Sequence, residues 1–357
     1  IDRAGLIVKG RENVLLQSNN FSNASWVKIR SSVSSGATDP FGGSNAWAFL
    51  TDTTADDQHY FSQSIAQSGV GTLSIYAKAN GYNWLRLRLP SEEAFFDLAN
   101  GVTGSSTTGI SASMTNAGNG WYRCQVAIAN MSTNPNVFIH IAENDGDIFI
   151  GGTPSGTDGL YIYASQLEQG LAASPYIPTT TTSAQAGVLE NTPRLNYTTG
   201  VANPYLLLEP SRTNLVTQSE YIAAWNKSTN AITITSNYGL SPEGLQNSSR
   251  VQFTAASQHI NISTSLGTGV TSTGSVYIKG TAGETIQFDT GGVGALRTLT
   301  EDWQRIEVTS TSASSLLLIN TFGGATARDI EIWGAQMEQA SYPTSYIPTY
   351  SVSATRA

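Results

Sequence analysis

In the stretch Leu73-Ser74-Ile75-Tyr76-Ala77-Lys78 the last five residues return later in the chain as Ser275-Val276-Tyr277-Ile278-Lys279. Within the first stretch Leu73, Ile75 and Ala77 alternate with Ser74, Tyr76 and Lys78. An apolar residue at every second position is the pattern of a strand buried on one face. The same period appears at Val137, Ile139 and Ile141 against Phe138 and His140, and at Ile306 and Val308 against Arg305 and Glu307. Clusters such as Asn144-Asp145-Gly146-Asp147 and Gly151-Gly152 punctuate the strands. No long stretch keeps a 3.6-residue period. Short strands separated by turn signals predict an all-β protein built of jelly-roll β-sandwiches.

The echo extends along the whole chain. Asn13-Val14-Leu15 with Gln17-Ser18 returns as Asn214-Leu215-Val216 with Gln218-Ser219, and Trp26 returns as Trp225. Gln58-His59 matches Gln258-His259, and Trp121 and Arg123 match Trp303 and Arg305. Gln166-Leu167-Glu168-Gln169 matches Gln336-Met337-Glu338-Gln339. Tyr176-Ile177-Pro178-Thr179 closes one copy and Tyr346-Ile347-Pro348-Thr349 the other. Copies this long are duplicated domains, not solenoid repeats. The expected division is a first sandwich over 1–178, a linker over 179–204 and a second sandwich over 205–357. The stretch from Tyr205 has a counterpart at Gly5 to Lys9, so it is expected to form a strand in both copies. The first copy is expected to carry insertions after the Lys78 strand and between Arg123 and Tyr161. A start at Ile1 rather than Met reads as a fragment or a processed product.

A length of 357 residues suits two cores. Only 12% of residues are charged, and the net charge is −8. An acidic balance argues against a nucleic-acid partner, whose footprint is basic. One cysteine, Cys124, excludes an internal disulfide, so each fold must stand on its core. No stretch approaches the length of a membrane span, and no membrane insertion is expected.

In Trp84-Leu85-Arg86-Leu87-Arg88-Leu89, strand alternation sends the three leucines inward and puts Trp84, Arg86 and Arg88 on one outer face. An indole stacks on the apolar face of a sugar, and guanidinium forks hold carboxylate or sulfate oxygens in pairs. The competing reading packs Trp84 against a loop and pairs the arginines with Glu92, Glu93 or Asp97. Tyr82 lies just before this strand. Tyr122 differs between the copies, with Gln304 in its place, and joins the candidate ligand-binding residues. The aligned stretch of the second copy, Thr285-Ile286-Gln287-Phe288-Asp289, keeps the core positions and replaces the outer ones. The first copy is therefore the better candidate for a binder on this face. Trp121 and Arg123, which recur, read as framework. The paired Gln58-His59 and Gln258-His259 read as completing a turn or a hydrogen-bond network, and His140 as a packed or surface histidine.

Glu143-Asn144-Asp145-Gly146-Asp147 has the composition of an acidic calcium loop without the spacing of an EF-hand. A solvated turn accounts for it as well, so a structural calcium stays open; no other cofactor is expected. Three histidines and one cysteine cannot build a Cys/His metal cluster. No nucleophile elbow, P-loop or dinucleotide fingerprint is present, and no pair of carboxylates stands out for glycoside hydrolysis. The chain is expected not to be an enzyme.

Pro210-Ser211-Arg212-Thr213-Asn214-Leu215-Val216, then Gln218-Ser219 and Trp225, resembles a recurring phage pattern, as does Asn13 to Trp26. With Gly120-Trp121-Tyr122-Arg123, Trp333-Gly334-Ala335-Gln336-Met337-Glu338 and the closing Tyr-Ile-Pro-Thr, the chain resembles carbohydrate-binding-module-like jelly rolls of phage tail and head-fibre proteins. Pro193-Arg194-Leu195-Asn196-Tyr197 fits the segment that precedes such modules. The resemblance implies a fibre or decoration protein at the virion surface, or extracellular. Its partners would be bacterial surface polysaccharide and other virion proteins. Fibres are often homotrimers, but no coiled-coil heptad is present to enforce that. The second copy departs from the pattern at Asp302 and Gln304, which puts its own binding in doubt. Two other readings stand beside this one: a purely structural fibre or capsid-attachment component, and an accessory region of a secreted polysaccharide-degrading enzyme.

Overall fold

The computed structural model describes residues 2, 4, 6–89, 92–131, 135–189, 193–197, 203–267, 269–311, 316–323 and 326–356, with backbone only at Asn130. Gly5, Thr192 and Ala357 lie outside them. The chain forms two compact units. One is Arg11–Ala186, called the first module below. The other, the second module, joins Ile1–Gly10 to Gly187–Ala357. The opening decapeptide, assigned by sequence to the first copy, thus belongs with the second. The stretch expected to be a linker is divided between the two modules at residue 187.

The first module contains β1 (Arg11–Asn13), β2 (Val27–Ile29), β3 (Ser31–Ala37), β4 (Ala46–Thr51), β5 (His59–Ser64), β6 (Gly69–Asn80) and β7 (Trp84–Leu89). These are followed by β8 (Glu92–Asp97), β9 (Val102–Ser106), β10 (Ser111–Gly118), β11 (Trp121–Met131), β12 (Asn136–Ala142), β13 (Gly159–Gln169) and β14 (Ala184–Ala186). Two six-stranded antiparallel sheets, ordered β10-β11-β6-β13-β4-β3 and β2-β5-β12-β7-β8-β9, face each other. Their inward side chains form one apolar core that includes Leu73, Ile75, Leu85, Leu87, Cys124, Ile139 and Ile162. At one end Phe21, Trp26, Phe49 and Phe61 interlock, with ring centroids 4.8 Å apart for Phe49–Phe61 and 5.2 Å for Phe21–Phe61. Each such side chain contributes about 1.5–3 kcal/mol by leaving water, which is how a fold without disulfides stands.

The second module repeats the plan with fewer strands. It contains β15 (Arg194–Asn196), β16 (Tyr205–Leu207), β17 (Arg212–Asn214), β18 (Asn226–Lys227), β19 (Thr233–Thr235), β20 (Ser249–Phe253) and β21 (His259–Ser263). Then come β22 (Ser272–Gly280), β23 (Thr285–Thr290), β24 (Val293–Thr298), β25 (Gln304–Ser310), β26 (Leu316–Asn320), β27 (Arg328–Glu338) and β28 (Ala354–Arg356). Its five-stranded sheets are β18-β21-β26-β23-β24 and β19-β20-β27-β22-β25. The first module's extra strands are β9 and β10, which lie after the Lys78 strand. The all-β expectation, two jelly-roll sandwiches in tandem, is the architecture observed.

The recurring sequence motifs are the ties that lock each module's ends across its sheet. Asn13 Nδ2 donates to the carbonyls of Ser165 and Ile177, while its Oδ1 accepts from the amides of Leu15 and Leu167. Asn214 makes the same four bonds with Ala335, Ile347, Val216 and Met337. Gln166 and Glu168 receive the closing segment through Ile177 and Ser174, and Gln336 and Glu338 do so through Ile347 and Thr344. Ser18 meets the Tyr176 hydroxyl at 2.6 Å, and Ser219 meets that of Tyr346 at 2.7 Å. Apart from the half-buried Tyr176 these polar groups are buried, so each must be paired, and the pairing accounts for their recurrence in both copies. Trp121 and Arg123 belong to the same framework: Trp121 is buried, and Arg123 donates to Ser74 Oγ and covers the Tyr76 ring.

Candidate functional site

Strand β7 sits in the interior of its sheet, between β12 and β8. Leu85, Leu87 and Leu89 enter the core, and Trp84, Arg86 and Arg88 share the outer face as expected. The ladders decide what surrounds them. Across β12, Arg88 stands opposite Phe138, Arg86 opposite His140 and Trp84 opposite Ala142. Beyond β12, Tyr60 of β5 stands opposite His140. On the other side Arg88 faces Glu93 and Arg86 faces Phe95. The face therefore carries a row of rings, Tyr60, His140 and Phe138, beside two guanidinium groups and an indole.

The two arginines differ. Arg86 is only 3% exposed. Its Nε donates to Glu93 Oε2 at 2.8 Å and its Nη2 to the same oxygen, while its carbon end lies 5.8 Å from the Phe95 centroid. The competing reading of the sequence, an arginine paired with Glu93, holds for this residue. Arg88 is half-buried and lies 5.0 Å from the Phe138 centroid. Trp84 is half-buried as well. It rests against Gly104, where a Cβ would come within 2.6 Å of the indole and 2.4 Å of the Asp145 carboxylate. Glycine is required there for that close approach.

His140 is 1% exposed, and neither ring nitrogen has a hydrogen-bond partner among the described residues. Burial first, and then Arg86 and Arg88, hold its pKa well below the usual imidazole value. It is neutral at pH 7, stacked 4.8 Å from Tyr60 and 6.0 Å from Phe138. The expectation of a packed histidine fits this environment.

The other candidates stand elsewhere. Tyr82 packs its ring against the core, and burial, Glu143 and Asp158 raise its pKa. Tyr122 is on β11, in the opposite sheet, and points inward with Cys124, Val126 and Ile128. A Cβ at Gly101 would come within 2.7 Å of its ring. It is thus a core-edge residue and does not join Trp84. The cross-strand neighbours Tyr60, Phe138 and His140 were not among the sequence candidates. Alternation already marks Phe138 and His140 as outward-facing, but that β12 lies beside β7 is not written locally.

In the acidic loop the carboxylates are occupied separately. Asp145 Oδ1 accepts from Ser105 N and Oγ, Asp147 from Asn144 Nδ2, and Glu143 from the Gly151 amide. Among the described residues no three His, Cys, Asp or Glu side chains converge as metal ligands. The paired glutamine–histidine motif is structural: His59 Nδ1 lies 2.5 Å from the Arg30 carbonyl, and Gln258 closes a turn through the Thr254 amide and hydroxyl.

No protein-family model matches the chain, and no curated protein matches it in sequence. In fold it is similar to a Paenibacillus xanthan lyase, with 10% identity and a TM-score of 0.26 over 86% of this chain and 25% of that one. It is similar to the tandem CBM51 modules of a family 98 glycoside hydrolase from Streptococcus pneumoniae, with 11% identity and a TM-score of 0.24, covering 82% of this chain and 84% of that one. An uncharacterised Listeria monocytogenes protein gives 11% identity and a TM-score of 0.23 over 86% of this chain and 21% of that one. The chain thus spans about a quarter of the lyase and a fifth of the Listeria protein.

Proposed function

We propose that this chain is a non-enzymatic, polysaccharide-binding pair of modules, and that the outer face of β5, β12 and β7 in the first module is its glycan site. The observation that carries this is the half-buried pair Trp84 and Arg88 on one strand, beside Tyr60 and Phe138, with Arg86 and His140 packed between them. A sugar ring stacks on an indole or phenyl face, and the half-buried Arg88 guanidinium is placed to meet an acidic group of the polymer. The resemblance to phage fibre modules extends this reading to an adhesion or decoration protein at the virion surface, beside other virion proteins. A homotrimer there would turn weak single-site binding into avidity.

The test is binding of the purified chain to a panel of neutral and acidic bacterial polysaccharides, at low and at high salt. Trp84→Ala and Arg88→Ala are the informative variants. Arg86→Ala is not, because it strips a buried partner from Glu93. Salt-sensitive binding to acidic polymers, weakened about tenfold or more by either variant, is the expected result; tenfold corresponds to about 1.4 kcal/mol. Folded protein that binds none of them would turn the reading to a structural fibre or capsid component.

A further inference from the structure

The second module carries a groove on a different surface, the outer face of β20, β27 and β22. Its volume is about 370 Å³ and its lining includes Tyr238, Arg250, Lys279, Glu301, Asp329 and Glu331. Two cross-strand ion pairs frame it. Arg250 Nε donates to Asp329 Oδ1 at 2.8 Å, with Nη2 on the other oxygen, and Lys279 Nζ lies 3.0 Å from Glu331 Oε1. Each cation also rests on a ring: Arg250 lies 4.9 Å from the Tyr238 centroid and Lys279 5.2 Å from that of Trp303. Trp303 is anchored by its Nε1 donating to the Leu240 carbonyl at 3.0 Å, and Glu331 accepts from Ser248 Oγ at 2.7 Å. Tyr238 keeps 44% of its surface exposed.

The arrangement is specific to this module. Counting along the ladders, the first module has Ala48 at the place of Arg250, Tyr161 at that of Glu331 and Gly159 at that of Asp329; the lysine, as Lys78, and the tryptophan, as Trp121, are shared. A solvent-exposed ion pair such as Arg250–Asp329 contributes little to stability, so stability alone gives little reason for it at the groove. A recognition role does. The ion pairs hold carboxylate oxygens and N–H donors in fixed alternation; Asp329 Oδ2 also accepts from Gln252 Nε2, while the Lys279 ammonium and Glu331 Oε1 keep capacity for a further hydrogen bond. The exposed Tyr238 ring supplies stacking area, and the volume is that of a small-ligand site. The lining counts three carboxylates against two cations, so an anionic ligand is repelled. A neutral ligand dense in hydroxyls, each both donor and acceptor, matches what remains.

We propose that this groove is a second ligand site, on the second module, for neutral saccharide. It stands apart from the site proposed on the first module: it lies on the other sheet of the module plan and is lined by different residues. The two sites would let one chain read two sugar chemistries.

The test is titration calorimetry of the whole chain with glucose-, galactose- and mannose-based neutral tetrasaccharides. Wild type is compared with Tyr238→Ala, Lys279→Met and Trp84→Ala, and folding is checked by thermal melting. The expected result is binding to at least one tetrasaccharide, weakened tenfold or more by Tyr238→Ala and by Lys279→Met, and unchanged in Trp84→Ala. Tyr238→Ala removes an exposed ring, so it decides the matter if Lys279→Met unfolds the module. No binding by folded wild type at millimolar tetrasaccharide, or binding that only Trp84→Ala removes, overturns the proposal. Neither result bears on acidic-polymer binding, which the first-module variants report separately.

Discussion

His140 shows how one residue's environment sets a measurable property. In an unfolded chain its imidazole titrates near pH 6.5, whereas in the fold burial and two guanidinium neighbours depress that value. Above about pH 6.5 both states are neutral and the histidine adds no pH dependence. Below it the unfolded chain takes up a proton that the folded module refuses. Stability of the first module should therefore fall by up to about 1.4 kcal/mol for each pH unit from about 6.5 down toward the depressed folded value. Urea midpoints at pH 7 and 5.5 measure this. His140→Phe should flatten the dependence, and an equal slope in that variant would assign the effect to other groups. At Arg86 the alternation read from sequence gave the right face and left Glu92, Glu93 and Asp97 as possible partners. Glu93 closes on it because β8 turns back beside β7, placing the carboxylate opposite Arg88 and within reach.

At the scale of elements, alternation carried most of the information. The positions read as inward on β6, β7, β12 and β25 are the ones found in the cores. In the second copy's counterpart of β7, strand β23, Ile286 and Phe288 keep the core. Outside, Gln287 and Asn320 both donate to Asp289, a closed polar cluster in place of an arginine face. The bulge that interrupts β13 and β27 was not legible. It puts Ala164 at φ 53° and Gly334 at φ 65°, the left-handed region where a side chain is disfavoured. A Cβ at Gly334 would lie 3.2 Å from the Tyr277 ring. Gly334→Ala should therefore lower the second module's stability by about 1–2 kcal/mol. Chemical denaturation followed by fluorescence would read this, and a midpoint unchanged from wild type would mean that the bulge relaxes freely.

For the whole molecule, the unexpected feature is the opening segment. Lys9 is buried in the second module, where its ammonium pairs with Glu220 and with Glu243, the latter at 2.9 Å. It also lies 5.3 Å from the Trp333 centroid and 5.7 Å from that of Tyr350. Removing one partner of a buried ion pair leaves uncompensated charge, at a cost of about 3–5 kcal/mol. Lys9→Ala should therefore destabilise the second module by that order while leaving the first module's unfolding transition in place. Scanning calorimetry of the whole chain separates the two cases. A shift confined to the first module's transition would contradict the assignment of residues 6–10.

By itself the sequence determined the class of fold, the duplication and the inward face of the strands whose alternation is clear. These rest on local periodicity and on self-similarity, which need no knowledge of neighbours. It also marked the recurring asparagine, glutamine and glutamate positions without saying what they do. Only the tertiary structure decided which strands lie side by side, and so which residues surround Trp84. It decided as well that Tyr122 faces a core, that Arg86 is closed by Glu93, that residues 6–10 join the second module, and that Arg250, Lys279, Asp329 and Glu331 enclose one groove. These are long-range pairings fixed by packing and by the pairing of buried polar groups, and no local pattern along the chain encodes them.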